Sequence, residues 1–192
     1  MIETERLQLR LFTLDDLDDL SLIFSDPDVV KHLGTGKPAP REETEQALHS
    51  VINHWERHGF GRWAAVFKAT GKLIGYSGLR SFNGTPELVY LLDKPYWGLG
   101  LATEMAQASL KYGFEELGFE RIIALSKLAN VASHHVLEKI GMVYEKTTTI
   151  FEMDVVHYSI TREMYLSRQL GSIKPHDRKW CPRQDLNLRP PA

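Results

Sequence analysis

The sequence is short of cysteine, of charge of one sign and of long apolar runs, and each shortage removes a class of protein. A single cysteine, Cys181, among 192 residues cannot support an internal disulfide framework, which excludes a small stapled extracellular scaffold. No apolar stretch approaches the roughly 20 residues that span a bilayer. No early segment joins a basic start to an apolar run, so no signal peptide is expected, and the expected location is cytoplasmic with no membrane partner. Formal net charge is −2. Residues 171–192 carry five Lys/Arg and two Asp/Glu, leaving 18 basic and 23 acidic side chains in residues 1–170. Such a body gives no electrostatic footprint for nucleic acid and suits a cationic substrate such as an amine. Two phosphate motifs are also missing. There is no G-x-x-x-x-G-K-[ST] run, and "GLGLAT" has Thr103 where a dinucleotide fingerprint wants its last glycine.

What is present is an ordinary globular composition, 43% hydrophobic and 25% charged, with enough chain for one domain and a real core. The expected domain covers residues 1–168. Residues 169–192, with three prolines in the last eleven positions and no helical or strand period, are expected to form a disordered tail. "RLQLRLF" alternates as a half-buried strand does, and "TLDDLDDLSLIF" then sets Leu14, Leu17, Leu20 and Phe24 at helical spacing with Thr13 as cap. A second helix is predicted over 42–58, and a hairpin over "RWAAVFKATGKLIGYSGLR" turning at 69–71. "ELVYLL" reads as a strand, followed by a glycine turn and an apolar helical stripe from Ala102 to Leu117. "RIIAL" is a strand, 130–140 a helix ended by Gly141, and "MVYEKTTTI" and "VVHYSITREMY" are closing strands. The order predicts an α/β fold with a mixed, mostly antiparallel central sheet flanked by helices.

The glycine turn in "YWGLGLATEMAQASL" is the most informative stretch. A turn from strand to helix presents the first unbonded N–H groups of the helix, which attract phosphate oxygens. Taken alone it reads equally well as a structural turn.

"YWGLGLATE" resembles the pyrophosphate loop of the GNAT superfamily of acetyl-CoA-dependent N-acetyltransferases, in its Rim-type, ribosomal-protein N-terminal acetyltransferase-like branch. "TERLQLRLFTLDDL", "LIGYSGL", "ELVYLL" and "NVASHHVLEKIGM" resemble further segments of that branch, in order, across about residues 3–166. The resemblance implies the GNAT fold and acetyl transfer from acetyl-CoA, a cosubstrate with no metal, to an amine in a ternary complex. The amine would be a peptide N-terminus or a small molecule, and the protein a monomer or homodimer. It implies that Trp97, Gly98, Leu99, Gly100, Leu101, Ala102 and Thr103 cradle the pyrophosphate, and that Asn130 bonds the pantetheine arm. Trp97 departs from the common Arg or Gln and reads equally as an aromatic plug. The resemblance places a general base at Glu87 and an oxyanion contact on the backbone near Leu92. It places Ser133 as the group that meets the leaving thiolate, because the tyrosine of many members is replaced by Leu137. Glu87 reads alternatively as a solvated strand-end carboxylate, Ser133 as a plain helix residue and Asn130 as a helix cap. A rival function of another class is a non-catalytic acetyl-CoA-binding module.

His54 and His58 have the i, i+4 spacing of zinc ligands, but "HWERH" lacks the glutamate of H-E-x-x-H and has no evident third ligand. His134 and His135 point in different directions on a helix and are expected to face solvent. Phe60, Trp63 and Tyr90 read as core. Residues 25–60 and the turn at 149–154 are expected to select the acceptor.

Overall fold

A computed structural model describes residues 1–150 and 153–171. Eight strands form one sheet: β1 (Ile2–Glu3), β2 (Leu7–Arg10), β3 (Arg62–Phe67), β4 (Lys72–Phe82), β5 (Thr85–Leu92), β6 (Arg121–Lys127), β7 (Val143–Ile150) and β8 (Met153–Thr161). Their order is β1-β2-β3-β4-β5-β6-β8-β7. Every neighbouring pair is antiparallel except β5 and β6, which run parallel and pair only at Glu87 opposite Ile123. Beyond that one pair the two strands separate, and the gap is the feature on which the site is built.

The helices are α1 (Leu17–Ser25), α2 (Pro27–Val30), α3 (Arg41–His58), α4 (Leu101–Lys111), α5 (Val131–Lys139) and α6 (Arg162–Gln169). The first three lie on one face of the sheet. Leu20, Ile23, Val29 and Leu48 pack there on Ala64, Tyr76 and Leu91. The last three lie on the other face, where Ala106, Leu110, Leu137, Ile140 and Tyr165 pack on Leu79, Leu88, Ile122 and Tyr158. Alternation along β5 therefore sends Glu87, Val89 and Leu91 toward α1 and α3, and Leu88, Tyr90 and Leu92 toward α4 and α5.

The predicted elements match these with three local differences, and β1 and α2 are additional elements that no pattern predicted. Thr13 and Asp16 make a capping box, but it opens a single 3₁₀ turn over Leu14–Asp16 before α1 begins. The helical stripe after the glycine turn runs as α4 and then widens to a π turn at Tyr112–Glu116, which keeps Phe114 in the core and stacked on Tyr165 at 4.9 Å. The segment "TREMY" is not the end of a strand. Thr161 accepts a hydrogen bond from the Met164 N–H at 3.3 Å and starts α6, overriding the alternation read from the sequence. That helix continues to Gln169, past the expected domain end at 168. The tail expected to be disordered lies, from residue 172 on, outside the described residues.

Candidate active site

The loop that follows β5 folds by its glycines. Gly98 and Gly100 have φ of 75° and 79°, the left-handed region that costs residues with a Cβ about 1–2 kcal/mol. Gly100 is the N-cap of α4 and has no side chain to cap it. The first backbone bond into the helix runs from the Glu104 N–H to the Gly100 carbonyl at 3.1 Å. The N–H groups of Leu101, Ala102 and Thr103 thus have no acceptor inside the helix, and the helix dipole adds partial positive charge at the same place.

These groups line a cavity of about 560 Å³ set in the gap between β5 and β6. Leu92, Trp97, Gly98, Gly100, Leu101, Ala102, Thr103, Asn130 and Ser133 all border it. Of the residues expected from the sequence, the structure brings these nine together and leaves two out. Leu99 is 53% exposed and turns its carbonyl to Arg6 at 2.7 Å. Glu87 lies on the opposite face of β5. The cavity's border carries the basic residues Lys31, His32, His135 and Lys139 and the acidic Asp28. Because Asp28 is paired with Lys94 at 2.5 Å, the net local charge favours an anion.

Trp97, the departure in the loop, has a defined task. Its indole Nε1 donates to the Leu92 carbonyl at 2.7 Å, tying the loop to the end of β5 while the side chain stays 41% exposed. Leu92 itself turns its other polar group into the gap. The Asp93 N–H bonds the Ile74 carbonyl at 2.7 Å, and alternation along the antiparallel β4–β5 pair directs the Leu92 N–H away from β4, toward the space β6 has left.

The loop is also held from the far end of the sequence. Glu104 accepts from Thr4 Oγ1 at 2.6 Å, from the Arg6 main-chain N–H at 2.8 Å and from Arg6 Nε at 2.7 Å. Burial pushes the Glu104 carboxyl up, but these donors outweigh it and hold the group below its ordinary value. Sequence reasoning missed Arg6 and Glu104 as loop supports. They lie 98 positions apart, and no local pattern couples them.

Asn130 caps α5 by accepting from the Ser133 N–H at 3.3 Å, so its cap role is realised, and the residue borders the cavity as well. Ser133 Oγ lies 2.8 Å from the Tyr90 hydroxyl. Tyr90 was read as core, and it is partly buried in two core clusters, yet it also borders the cavity. Leu137 is 1% exposed and wholly in the core.

On the other face, Glu87 is no solvated strand-end carboxylate. Its side chain is 2% exposed and gripped by Arg80, Nε to Oε2 at 2.6 Å and Nη2 to Oε1 at 3.1 Å. Burial works against the Arg80 charge, but the bond to Glu87 outweighs it and raises the guanidinium's pKa. His157 of β8 accompanies them and hydrogen-bonds Thr148 Oγ1 through Nε2 at 2.7 Å. Burial, then Lys146, lowers its pKa against the opposing charges of Glu145 and Glu87.

Two histidine expectations resolve differently. His54 and His58 stack at 4.3 Å between ring centroids, and no group of three potential metal ligands occurs among the described residues. His134 does not face solvent. It is 1% exposed, because the turn that puts Leu137 in the core puts His134 there too, whereas His135 borders the cavity. No helix among the described residues is long and apolar enough to cross a membrane. Of the turn expected to choose the acceptor, residues 151 and 152 lie outside the described residues.

Comparison with known proteins agrees with this geometry. A family model described as an acetyltransferase (GNAT) domain matches residues 6–143. The uncharacterized protein YkkB of Bacillus subtilis (strain 168) is 33% identical over 162 residues, which is 81% of this chain and 92% of that protein. The FsC-acetyl coenzyme A-N(2)-transacetylase of Aspergillus fumigatus is 28% identical over 206 residues, 95% of this chain and 87% of its own. The crystal structure of a GNAT-family acetyltransferase from Bacillus anthracis superposes with a TM-score of 0.76 at 30% identity, covering 84% of this chain and 98% of that one.

Proposed function

This chain belongs to the GNAT acetyltransferase family, and we propose that it moves the acetyl group of acetyl-CoA onto a primary amine by direct transfer while both are bound. The observation that carries the reading is the glycine turn. It opens α4 with three N–H groups unbonded within the helix, onto a cavity with a cationic border, at the gap between the only parallel strand pair among the described residues. The pyrophosphate takes those N–H groups at hydrogen-bond distance, and Lys31 and Lys139 supply countercharge, while burial and then Lys31 hold His32 below its ordinary pKa. The Asn130 amide holds the pantetheine arm. The thioester lies in the gap, where the Leu92 N–H meets the carbonyl oxygen as it becomes negative.

The incoming amine must lose a proton, since an α-amino group has a pKa near about 8 and a lysine about 10.4. Glu87 accepts it. With both carboxylate oxygens held by Arg80, the proton passes through a bridging water rather than by direct contact. The amine lone pair attacks the thioester carbon, the C–S bond breaks with its electron pair leaving on sulfur as thiolate beside the Ser133 and Tyr90 hydroxyls, and the nitrogen releases its second surplus proton to water as the amide forms. No covalent enzyme intermediate is involved. The name of the Aspergillus relative, which pairs acetyl coenzyme A with a nitrogen position, supports the same donor and acceptor classes. Within the family we assign the chain to the Rim-type branch on the resemblance of its opening strand and late helix, with a protein N-terminus or a small-molecule amine as acceptor.

Calorimetry with acetyl-CoA, followed by a thiol-release assay over a panel of peptides, polyamines, amino acids and aminoglycoside-like amines, tests this. Binding and acceptor-dependent thiol release are expected. A folded protein that binds neither CoA nor acetyl-CoA overturns the reading.

A further inference from the structure

A thiolate leaving in the gap needs a hydrogen-bond donor, and the cavity's border holds four hydroxyls: Tyr90, Tyr96, Thr103 and Ser133. Thr103 lies in the first turn of α4, where the phosphate groups sit, and Tyr96 packs its ring edge-on to Phe67 at 5.5 Å between centroids. The other two form a pair between β5 and α5, level with the gap. We propose that the Tyr90 phenol is the donor that stabilises the departing CoA sulfur, and that Ser133 is a positioning residue that orients and polarises it. This rests on the acetyl-transfer reading and assigns the chemistry of the leaving group within it.

The hydrogen bonds give the direction of the pair. The Tyr90 hydroxyl lies 2.8 Å from Ser133 Oγ and 3.2 Å from the Ser133 carbonyl. Two hydroxyls in contact consume one proton between them and leave the other to donate elsewhere. When Ser133 donates to the phenolic oxygen, the Tyr90 proton is the spare one, held only by the longer bond to a carbonyl. A phenol is the stronger donor of the two because its conjugate base is delocalised, and a hydrogen bond received from Ser133 strengthens it further.

The phenol does not give its proton away. Burial pushes the Tyr90 hydroxyl well up, with the Ser133 hydrogen bond opposing only in part, whereas a thiol titrates near about 8.5. Full transfer from phenol to thiolate would run uphill, so Tyr90 stabilises the anion as a donor while the C–S electron pair moves to sulfur. The thiolate is protonated afterwards from water, which has taken up the proton the nitrogen sheds as the amide forms, and the proton first taken by Glu87 returns to solvent. Leu137 and its neighbours on the core face of α5 offer no rival hydroxyl.

The acceptor need not be known to test this, because CoA itself reports on the donor. Titrating the ultraviolet absorbance of the bound CoA thiolate should give a thiol pKa below that of free CoA by about one unit, as for a charge-assisted bond of about 1.4 kcal/mol. Tyr90→Phe should bring it back to the free value. Ser133→Ala should recover only part of the shift, and with a working acceptor should lower kcat less than Tyr90→Phe does, with acetyl-CoA affinity and melting temperature retained in both. A Ser133→Ala effect equal to or larger than that of Tyr90→Phe overturns the assignment in favour of the serine. So does a bound thiol that is unshifted or indifferent to Tyr90→Phe while CoA binds. Failure of the wild-type protein to bind CoA overturns the acetyl-transfer reading and this one with it.

Discussion

The two sides of β5 are built from different materials. Toward α4 and α5 the cavity is lined by the first turn of α4, glycines at positive φ, small side chains and the aromatic residues Tyr90, Tyr96 and Trp97, with charge only at its border. Toward α1 and α3 the same strand presents Glu87, buried and clamped by Arg80, with His157 near it. A surface made of backbone can serve a ligand whose recognised part is constant, such as a pyrophosphate. A surface made of paired side chains can be tuned to a variable partner and can move protons. On the proposed reading the first face takes the constant donor and the second the variable acceptor.

The comparison breaks most completely at Gly100. Aspartate tolerates the left-handed conformation but puts a negative charge among the N–H groups, so Gly100→Asp should fold and lose acetyl-CoA binding altogether. Undiminished affinity by calorimetry would place the phosphates elsewhere. Next in size is Glu87→Gln, expected to lower turnover by roughly 10²-fold or more with acetyl-CoA affinity nearly unchanged. The loss should shrink at high pH, where the amine arrives already deprotonated.

Because Glu87 is also half of an ion pair, its two roles separate by a pair of variants. Arg80→Met leaves a buried carboxylate without its partner and should cost about 3–5 kcal/mol in denaturant unfolding. The Arg80→Met, Glu87→Met double variant should regain most of that stability, because two apolar side chains replace two desolvated charges. It should remain inactive. Recovery of activity along with stability would make Glu87 purely structural.

Smaller effects are expected where the loop is braced. Arg6→Ala removes the contacts to Glu104 and the Leu99 carbonyl. Since Arg6 is 40% exposed on its side chain and such bonds are screened, affinity for acetyl-CoA should fall only about tenfold or less, near 1 kcal/mol. The smallest prediction is a pH effect. Glu104 is held below its ordinary 4.5, so its contribution to stability is present above that value and fades as pH falls through the lower folded-state value. The melting-temperature difference between wild type and Glu104→Gln should therefore be largest near neutrality and close as the solution is acidified below about pH 4.5. A difference that holds or grows on acidification would mean that the carboxylate charge is not what braces the loop.

Local patterns made much of this molecule legible without coordinates. "GLG" between an alternating run and a helical one reads as a turn into a helix, and the structure puts it there because the φ angles it needs are ones glycine alone adopts freely. The caps Thr13 and Asn130, the hairpin at 69–71 and the stripe of α4 follow from the same short-range chemistry. Reading "TREMY" as a strand failed because a single capping threonine outweighs an alternation of a few residues. His134 was misplaced because its helix face is chosen by what α5 packs on.

What the sequence by itself determined about this protein is the set of elements and the backbone cradle, since both depend on residues close together in the chain. What only the tertiary structure decided is which distant side chains meet: Arg6 with Glu104 and Tyr90 with Ser133, whereas Arg80 and Glu87, seven positions apart, are cross-strand partners within the β4–β5 hairpin. Each distant pair joins segments that only the packed fold sets side by side, so its existence depends on strand order and on the face each residue takes. The physical reason is that hydrogen bonds and ion pairs act over about 3 Å, and only the packed fold brings residues so far apart in the chain to that distance.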